Sequence, residues 1–290
     1  MTGVQESAVS ANGVEFTVLS AGEGPLALCL HGFPDSAHTW RHLLPALAAA
    51  GYRAVAPFQR GYAPTGVPAD GRYQSGVLGV DANALHEALG GDGDAVIIGH
   101  DWGASGTHAA AVLAPERWRK VVSMAVPPGG AVGAALLGNL AQLKRSWYFF
   151  FFQHPLSDFI VPGADLAFID MLWADWSPGH DASVDLPLVK AALRDPANLQ
   201  AALGYYRATL GEGLKDPALD RAQAATSEVP TQPMLYLHGR NDGCIGAEVA
   251  ELAATMCPAN VTVEIIDGAG HFLHVERPDV VNARVLEFLA

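Results

Sequence analysis

The sequence predicts an α/β fold, a doubly wound and mostly parallel sheet with an inserted helical cap. Three observations carry that expectation. Short apolar runs such as Leu26–Leu30 and residues 94–99 are continuous rather than alternating, the pattern of strands covered on both faces. Segments with helical spacing, among them 77–89 and Trp102–Leu113, lie between those runs. Residues 129–228 hold no strand-like run at all, and roughly 100 residues is too many for a crossover between neighbouring strands. The expected division is a sheet core made of 1–128 and 229–290, with 129–228 as the cap.

In chain order, residues 6–10 and 14–20 alternate well enough to form antiparallel edge strands. They turn at Ala11-Asn12-Gly13, where Asn-Gly supplies the left-handed backbone that a tight turn needs. The run Leu26–Leu30 ends at His31-Gly32-Phe33-Pro34, after which Asp35 and Ser36 offer caps to a helix reaching about residue 50. Residues 52–58 read as the next strand, 77–89 as a helix and 94–99 as a strand. The helix Trp102–Leu113 follows, then a buried strand over 121–126 closed by Pro127-Pro128-Gly129-Gly130. Beyond the cap, Glu228-Val229-Pro230-Thr231-Gln232-Pro233 marks the return. A strand at 234–238, a helix Ala247–Met256, a strand Val261–Ile266 and a final helix over 280–289 complete the chain.

Composition excludes several classes of function. A 290-residue chain that is 50% hydrophobic and 16% charged is globular. Its net charge of −13, from 17 basic and 30 acidic residues, comes without any Lys/Arg cluster, which argues against a nucleic-acid or anionic-membrane surface and for a neutral small ligand. Cys29, Cys244 and Cys257 are odd in number and lack metal-ligand spacing, so neither a disulfide framework nor a zinc site is expected. Residues 1–7 lack the basic and apolar regions of a targeting signal, and no run is long enough to span a bilayer; the expected location is the cytoplasm.

The chemistry concentrates on Gly99-His100-Asp101-Trp102-Gly103. An apolar strand, a sharp turn flanked by glycines and a helix start make the pattern of a nucleophile elbow, in which a Ser usually stands on the strained turn. Here the central residue is Asp101. An aspartate nucleophile leaves an ester on its own carboxylate and suits attack on an alkyl carbon better than on an acyl group. Taken alone, the stretch fits equally well an ordinary loop in which Asp101 caps the following helix. In a doubly wound sheet, however, reactive groups gather outside the carboxyl ends of the strands. Two such turns, Gly239-Arg240-Asn241-Asp242 and Gly268-Ala269-Gly270-His271, supply an acid and a histidine in the order that accompanies this elbow. Asp242 is expected to orient His271, and His271 to serve as general base. The backbone N–H groups of Phe33 and Trp102 are candidates for an oxyanion hole. His31, His100, His238 and His274 are read as structural, and Asp267 and Glu276 as surface or loop-bracing carboxylates.

Gly-His-Asp-Trp-Gly, His-Gly-Phe-Pro, Gly-Arg-Asn-Asp and Gly-Ala-Gly-His, in this relationship to a helical cap, resemble the α/β-hydrolase fold enzymes of the soluble epoxide hydrolase family over nearly the whole chain. The aspartate nucleophile narrows the resemblance to epoxide hydrolases and two groups of dehalogenases. It implies that two cap tyrosines hold the epoxide oxygen: Tyr148, five residues before Gln153, and Tyr206, which precedes Arg207, with Tyr205 as the competing choice for the second. Trp102 stands where fluoroacetate-type dehalogenases carry Arg, and Phe33 where haloalkane dehalogenases usually place a polar halide-binding side chain. The implied reaction converts an apolar epoxide to a vicinal diol through a covalent Asp101 ester, with water as second substrate and no metal or organic cofactor. Residues 149–152 and the cap tryptophans Trp147, Trp173 and Trp176 extend the expected substrates to aromatic ones. A haloalkane dehalogenase using the same triad and a non-catalytic ligand sensor on the same fold are the alternatives, and the chain is expected as a monomer or homodimer.

Overall fold

The computed structural model describes residues 3–290. Its sheet comprises β1 (Gln5–Ala11), β2 (Val14–Ala21), β3 (Leu26–Leu30), β4 (Arg53–Pro57), β5 (Val96–His100), β6 (Lys120–Met124), β7 (Met234–Gly239) and β8 (Val261–Ile266). The strands lie in the order β1-β2-β4-β3-β5-β6-β7-β8, antiparallel as far as the β2–β4 pair and parallel from β3–β4 onward. All five residues of β5 are buried, as a strand covered on both faces requires. Helices close over both sides. Leu28, Ile97 and Val121 pack against Leu85 and Ala110 on one face, whereas Cys29, Ile98 and Val122 belong to a cluster with Trp40, Leu44 and Val285 on the other.

Several elements differ from the sequence reading in instructive ways. The hairpin forms at Asn12-Gly13, both in the left-handed region (φ 45° and 72°), but β2 is not an edge strand, because it also pairs with β4. The helix expected after β3 is two pieces, a short 3-10 turn Ala37–Arg41 and an α-helix Leu43–Ala49, and Ser36 makes no side-chain cap to the first. Strand boundaries shift by a few residues, since pairing with a neighbour, not apolarity alone, decides where a strand stops; β5 thus begins after Asp94 and Ala95 and runs on through His100. The short helix Leu273–Glu276 had no separate signal.

Between β6 and β7 every regular element is a helix, from Ala131–Gly138 to Asp220–Ala225. Its apolar residues, including Phe152, Ile169, Leu172 and Leu199, form one cluster that also takes in Phe33, Leu78 and Phe272 from the strand-and-helix scaffold. The helical segment therefore seats on the carboxyl ends of the strands through buried apolar contact. Among the described residues no helix is long and apolar enough to cross a membrane.

Candidate active site

The strand order dictates where the reactive residues meet. The chain runs from β3 to β4 on one side and returns with β5 on the other, so the crevice between the ends of β3 and β5 is a topological switch point. Leu30 pairs with Gly99, which brings the turn His31-Gly32-Phe33 beside Asp101. Asp101 has φ 53° and ψ −121°, outside the regions a side-chain-bearing residue adopts freely. It occupies the N-cap position of the helix Trp102–Leu113, yet its side chain makes no cap hydrogen bond. Its Oδ1 accepts instead from the backbone N–H of Phe33 at 2.8 Å. A side chain at Gly32 would run into the Asp101 carboxylate, and one at Gly103 into the carbonyl of Leu30, so both close approaches require glycine.

A second register pair assembles the rest. His238 and Gly239 lie opposite Ile265 and Ile266, so the turns after β7 and β8 face each other. His271 Nδ1 donates to Asp242 Oδ2 at 2.9 Å, while Asp242 Oδ1 accepts from the N–H groups of Cys244 (2.7 Å) and Ile245 (2.9 Å). The other imidazole nitrogen, His271 Nε2, lies 3.6 Å from Asp101 Oδ2 and is buried without a hydrogen-bond partner. Burial opposes a charge on His271, but Asp242, together with Cys244 and Asp101, outweighs it and raises the imidazole pKa well above its ordinary value. On Asp242 burial likewise works against ionisation and is overcome, chiefly by His271, so that its pKa is lowered.

The helical segment braces this geometry. The carbonyl of Trp176 accepts from the N–H groups of Gly243 and His271, tying both loops to one point. Ser177 donates to Glu276 Oε1 and accepts from the N–H of Phe272, while Glu276 Oε2 accepts from the N–H of Gly270. Glu276 thus braces the histidine loop from within, whereas Asp267 is exposed and pairs with Arg240. The histidines read as structural are engaged with backbone: His31 Nε2 accepts from the N–H of Gln59, His100 Nε2 donates to the carbonyl of His271, and His238 Nε2 donates to that of Ile245. His274 Nε2 bonds the Thr39 hydroxyl.

Above Asp101 lies a cavity of about 260 Å³, lined by Asp101, Trp102, Tyr148, Phe149 and Tyr206, by aliphatic side chains such as Val132 and Ile245, and by polar ones such as Ser75, Thr209 and Gln223. The rings of Tyr148 and Tyr206 are 5.6 Å apart at their centroids, and Phe33 meets Tyr206 edge to face. Burial pushes both hydroxyls well above the usual tyrosine pKa, so they stay protonated. Tyr205, one residue away, turns its hydroxyl to the carbonyl of Arg60 at 3.0 Å and does not line the cavity. The cap tryptophans are not in the lining either. Trp173 stacks on Phe272 and donates to the carbonyl of Pro34, Trp176 meets the edge of His271, and Trp147 is partly exposed. Of residues 149–152 only Phe149 lines the cavity; Phe152 is core and Phe150 is exposed.

Two residues at the site escaped sequence reasoning. Cys244 places its thiol 3.1 Å from the Tyr148 hydroxyl. Asp35, read as a helix cap, accepts from the N–H of Ser36 through Oδ1, but its other oxygen is buried without a partner, as are His100 Nδ1 and His274 Nδ1. One atom each of Asp35, His100 and His274 lies within 4.8 Å of the others. Burial raises the Asp35 pKa to about 8 and lowers that of His100 to about 3. The position of Asp35 directly after His-Gly-Phe-Pro was the available signal.

Residues 25–278 match the family model of the α/β hydrolase fold. Epoxide hydrolase A of Mycobacterium tuberculosis is 32% identical over 98% of this chain and 97% of its own length. The AB hydrolase superfamily protein YfhM of Bacillus subtilis is 31% identical over 100% and 99%. Among solved structures, the Bacillus megaterium epoxide hydrolase in complex with an inhibitor superposes with a TM-score of 0.81 at 26% identity, covering 98% of this chain and 99% of that one.

Proposed function

The chain belongs to the α/β hydrolase fold family and, within it, to the epoxide hydrolases, and on that footing we propose that Asp101, His271 and two cap tyrosines convert an apolar epoxide to a vicinal diol through a covalent ester. The epoxide lies in the cavity with its oxygen facing the Tyr148 and Tyr206 hydroxyls. Because Oδ1 of Asp101 is held by the Phe33 N–H, Oδ2 is the oxygen free to attack a ring carbon. The carbon–oxygen bond of the ring breaks, and a tyrosine proton neutralises the alkoxide. Such a positioned acid contributes about 100-fold to 10,000-fold.

Forming the ester also removes the Asp101 charge, one of the causes of the high His271 pKa, so the imidazolium gives up its proton, which restores the tyrosine by way of solvent, and the neutral ring is free to act as base in the second half. His271, oriented by Asp242, then takes a proton from water and the hydroxide attacks the ester carbon; the tetrahedral intermediate collapses with cleavage of the ester C–O bond, its own hydroxyl proton passing to the leaving alkoxide, which releases the diol and restores the Asp101 carboxylate. The N–H of Phe33 and that of Trp102, at the first residue of its helix, where no intrahelical acceptor exists, stabilise the oxyanion. Single donors of this kind are worth roughly 3–4 kcal/mol.

The observation that carries the reading is the convergence of Tyr148 and Tyr206 on the same cavity as Asp101, with His271 Nε2 3.6 Å from the carboxylate. Trp102, Phe149 and the aliphatic part of the lining, including Val126, Val132 and Leu210, support an apolar substrate. The proposal includes the division into a core of 1–128 and 229–290 and a cap of 129–228, in keeping with the helical run between β6 and β7. It also includes a cytoplasmic enzyme working as monomer or homodimer, in keeping with three free cysteines in an acidic chain. In the test, Asp101→Ala abolishes diol formation across a panel of aliphatic and aromatic epoxides, and His271→Gln accumulates an adduct whose mass equals enzyme plus substrate. Halide release from haloalkanes without any epoxide adduct would make the chain a dehalogenase, and tight epoxide binding without turnover a sensor.

A further inference from the structure

Cys244 does not enter the mechanism above, yet its thiol lies at the centre of it. The turn after β7 that carries Asp242 folds back so that the Cys244 N–H donates to Asp242 Oδ1, which fixes the cysteine beside the histidine that Asp242 orients. One ligand atom each of Asp101, Cys244 and His271 lies within 4.8 Å of the other two. Spacing in the sequence gives no hint of this, since the three residues come from three separate loops.

Two further observations point to a ligand at this spot. His271 Nε2 is buried and has no hydrogen-bond partner, and it faces the space beside the Asp101 carboxylate, 3.6 Å from Oδ2. On the opposite side of the ring, Nδ1 is bound to a buried carboxylate. A carboxylate holding the far nitrogen of an imidazole is the arrangement that orients metal-bound histidines. Tetrahedral zinc with ordinary bond lengths separates its ligand atoms by roughly 3.3–3.6 Å, and the His271–Asp101 separation of 3.6 Å already fits.

We propose that Asp101, Cys244 and His271 form a binding site for one thiophilic divalent cation of the zinc type, whose occupation reversibly blocks the enzyme. The cation binds the Asp101 carboxylate, His271 Nε2 and the Cys244 thiolate, displacing the Nε2 and thiol protons to solvent, and its fourth position faces the cavity. The donor set of one sulfur, one imidazole nitrogen and one carboxylate selects zinc over magnesium or calcium, which require oxygen ligands. Occupation removes nucleophile and base together. Binding itself does not depend on the epoxide hydrolase reading; only the consequence for turnover rests on it.

Cobalt(II) is the probe, because a cobalt–thiolate bond absorbs in the near ultraviolet and four-coordinate cobalt absorbs strongly in the visible. Titration of the full chain with cobalt chloride is expected to saturate at one equivalent with both features, to be reversed by zinc, and to be unaffected by magnesium. Cys244→Ser is expected to lose the thiolate band and to need at least tenfold more zinc for half-inhibition of diol formation. His271→Gln keeps the thiol and is expected to bind cobalt at least tenfold more weakly, which decides the matter should Cys244→Ser fail to fold. A thiolate band that survives Cys244→Ser would come from Cys29 or Cys257 and overturn the proposal, as would equal zinc inhibition of both proteins or the absence of any cobalt spectrum. Because the absorbance is read without substrate, a chain that opens no epoxide still reports on the metal site.

Discussion

Replacing Asp242 with Asn separates the two halves of the proposed reaction. In the wild-type chain Oδ1 takes two backbone N–H groups, from Cys244 and Ile245, while Oδ2 takes the proton of His271 Nδ1. An asparagine has one accepting oxygen. Two donors on a rigid turn outweigh one, so that oxygen stays with Cys244 and Ile245, and the amide NH2 turns toward His271. Facing a donor, Nδ1 must become the acceptor, which moves the imidazole proton to Nε2, the nitrogen 3.6 Å from Asp101. A nitrogen that already carries a proton cannot take one from water. The corresponding change in a serine-protease triad lowers turnover about 10,000-fold, equivalent to about 5.4 kcal/mol at about 1.36 kcal/mol per factor of ten. The same loss is expected here, and only in ester hydrolysis, because Asp101 and the tyrosines keep their positions. Rapid-quench mass spectrometry of Asp242→Asn should show the substrate adduct forming at close to the wild-type rate and persisting, while multiple-turnover diol formation collapses. Turnover reduced less than tenfold, or an adduct that never forms, would refute the tautomer argument.

Tyr206→Phe is expected to slow ring opening by about 100-fold or more, whereas Tyr205→Phe leaves turnover intact and instead strands the carbonyl of Arg60, at a stability cost of about 1–3 kcal/mol; single-turnover kinetics beside thermal melts distinguish the two, and reversed effects would reassign the donor. Asp35 titrates with stability. Its folded-state pKa of about 8 lies above the unfolded value, so the stability tied to its protonated form is complete below about pH 4 and is lost as the pH rises through about 8. Asp35→Asn mimics the protonated acid and should therefore gain on the wild-type chain over that window, by up to roughly 5 kcal/mol at about 1.4 kcal/mol per pH unit. Parallel stability curves from pH 4 to pH 9 would show that Asp35 does not titrate in this way.

Much of this molecule is legible from local pattern. Continuous apolar runs mark the central strands because both faces of a parallel sheet are covered, and Asn12-Gly13 marks the hairpin because both residues adopt left-handed backbone. The proposed nucleophile, acid and histidine, Asp101, Asp242 and His271, are legible for the same reason: each stands shortly after an apolar run, where the fold places reactive groups.

What the sequence by itself determined was thus the order of strands and helices, the elbow, and which residue types could react. Which atom faces which was decided only by tertiary structure. That the Asp101 carboxylate leaves the helix uncapped and takes the Phe33 N–H instead follows from the strand register that brings the two together. Tyr205 and Tyr206 are neighbours about 100° apart around a helix, and only the packing of that helix turns Tyr206 to the cavity and Tyr205 to Arg60. The tryptophans Trp147, Trp173 and Trp176, equally apolar in the sequence, pack on Phe272 and His271 or lie near solvent and leave the lining to other side chains. Cys244 carries no signal at all, because its meaning lies in its distance from two residues on other loops. Periodicity and turn chemistry act between residues close in the chain, whereas a site is built from contacts between residues far apart in it, and those exist only once the sheet has set their register.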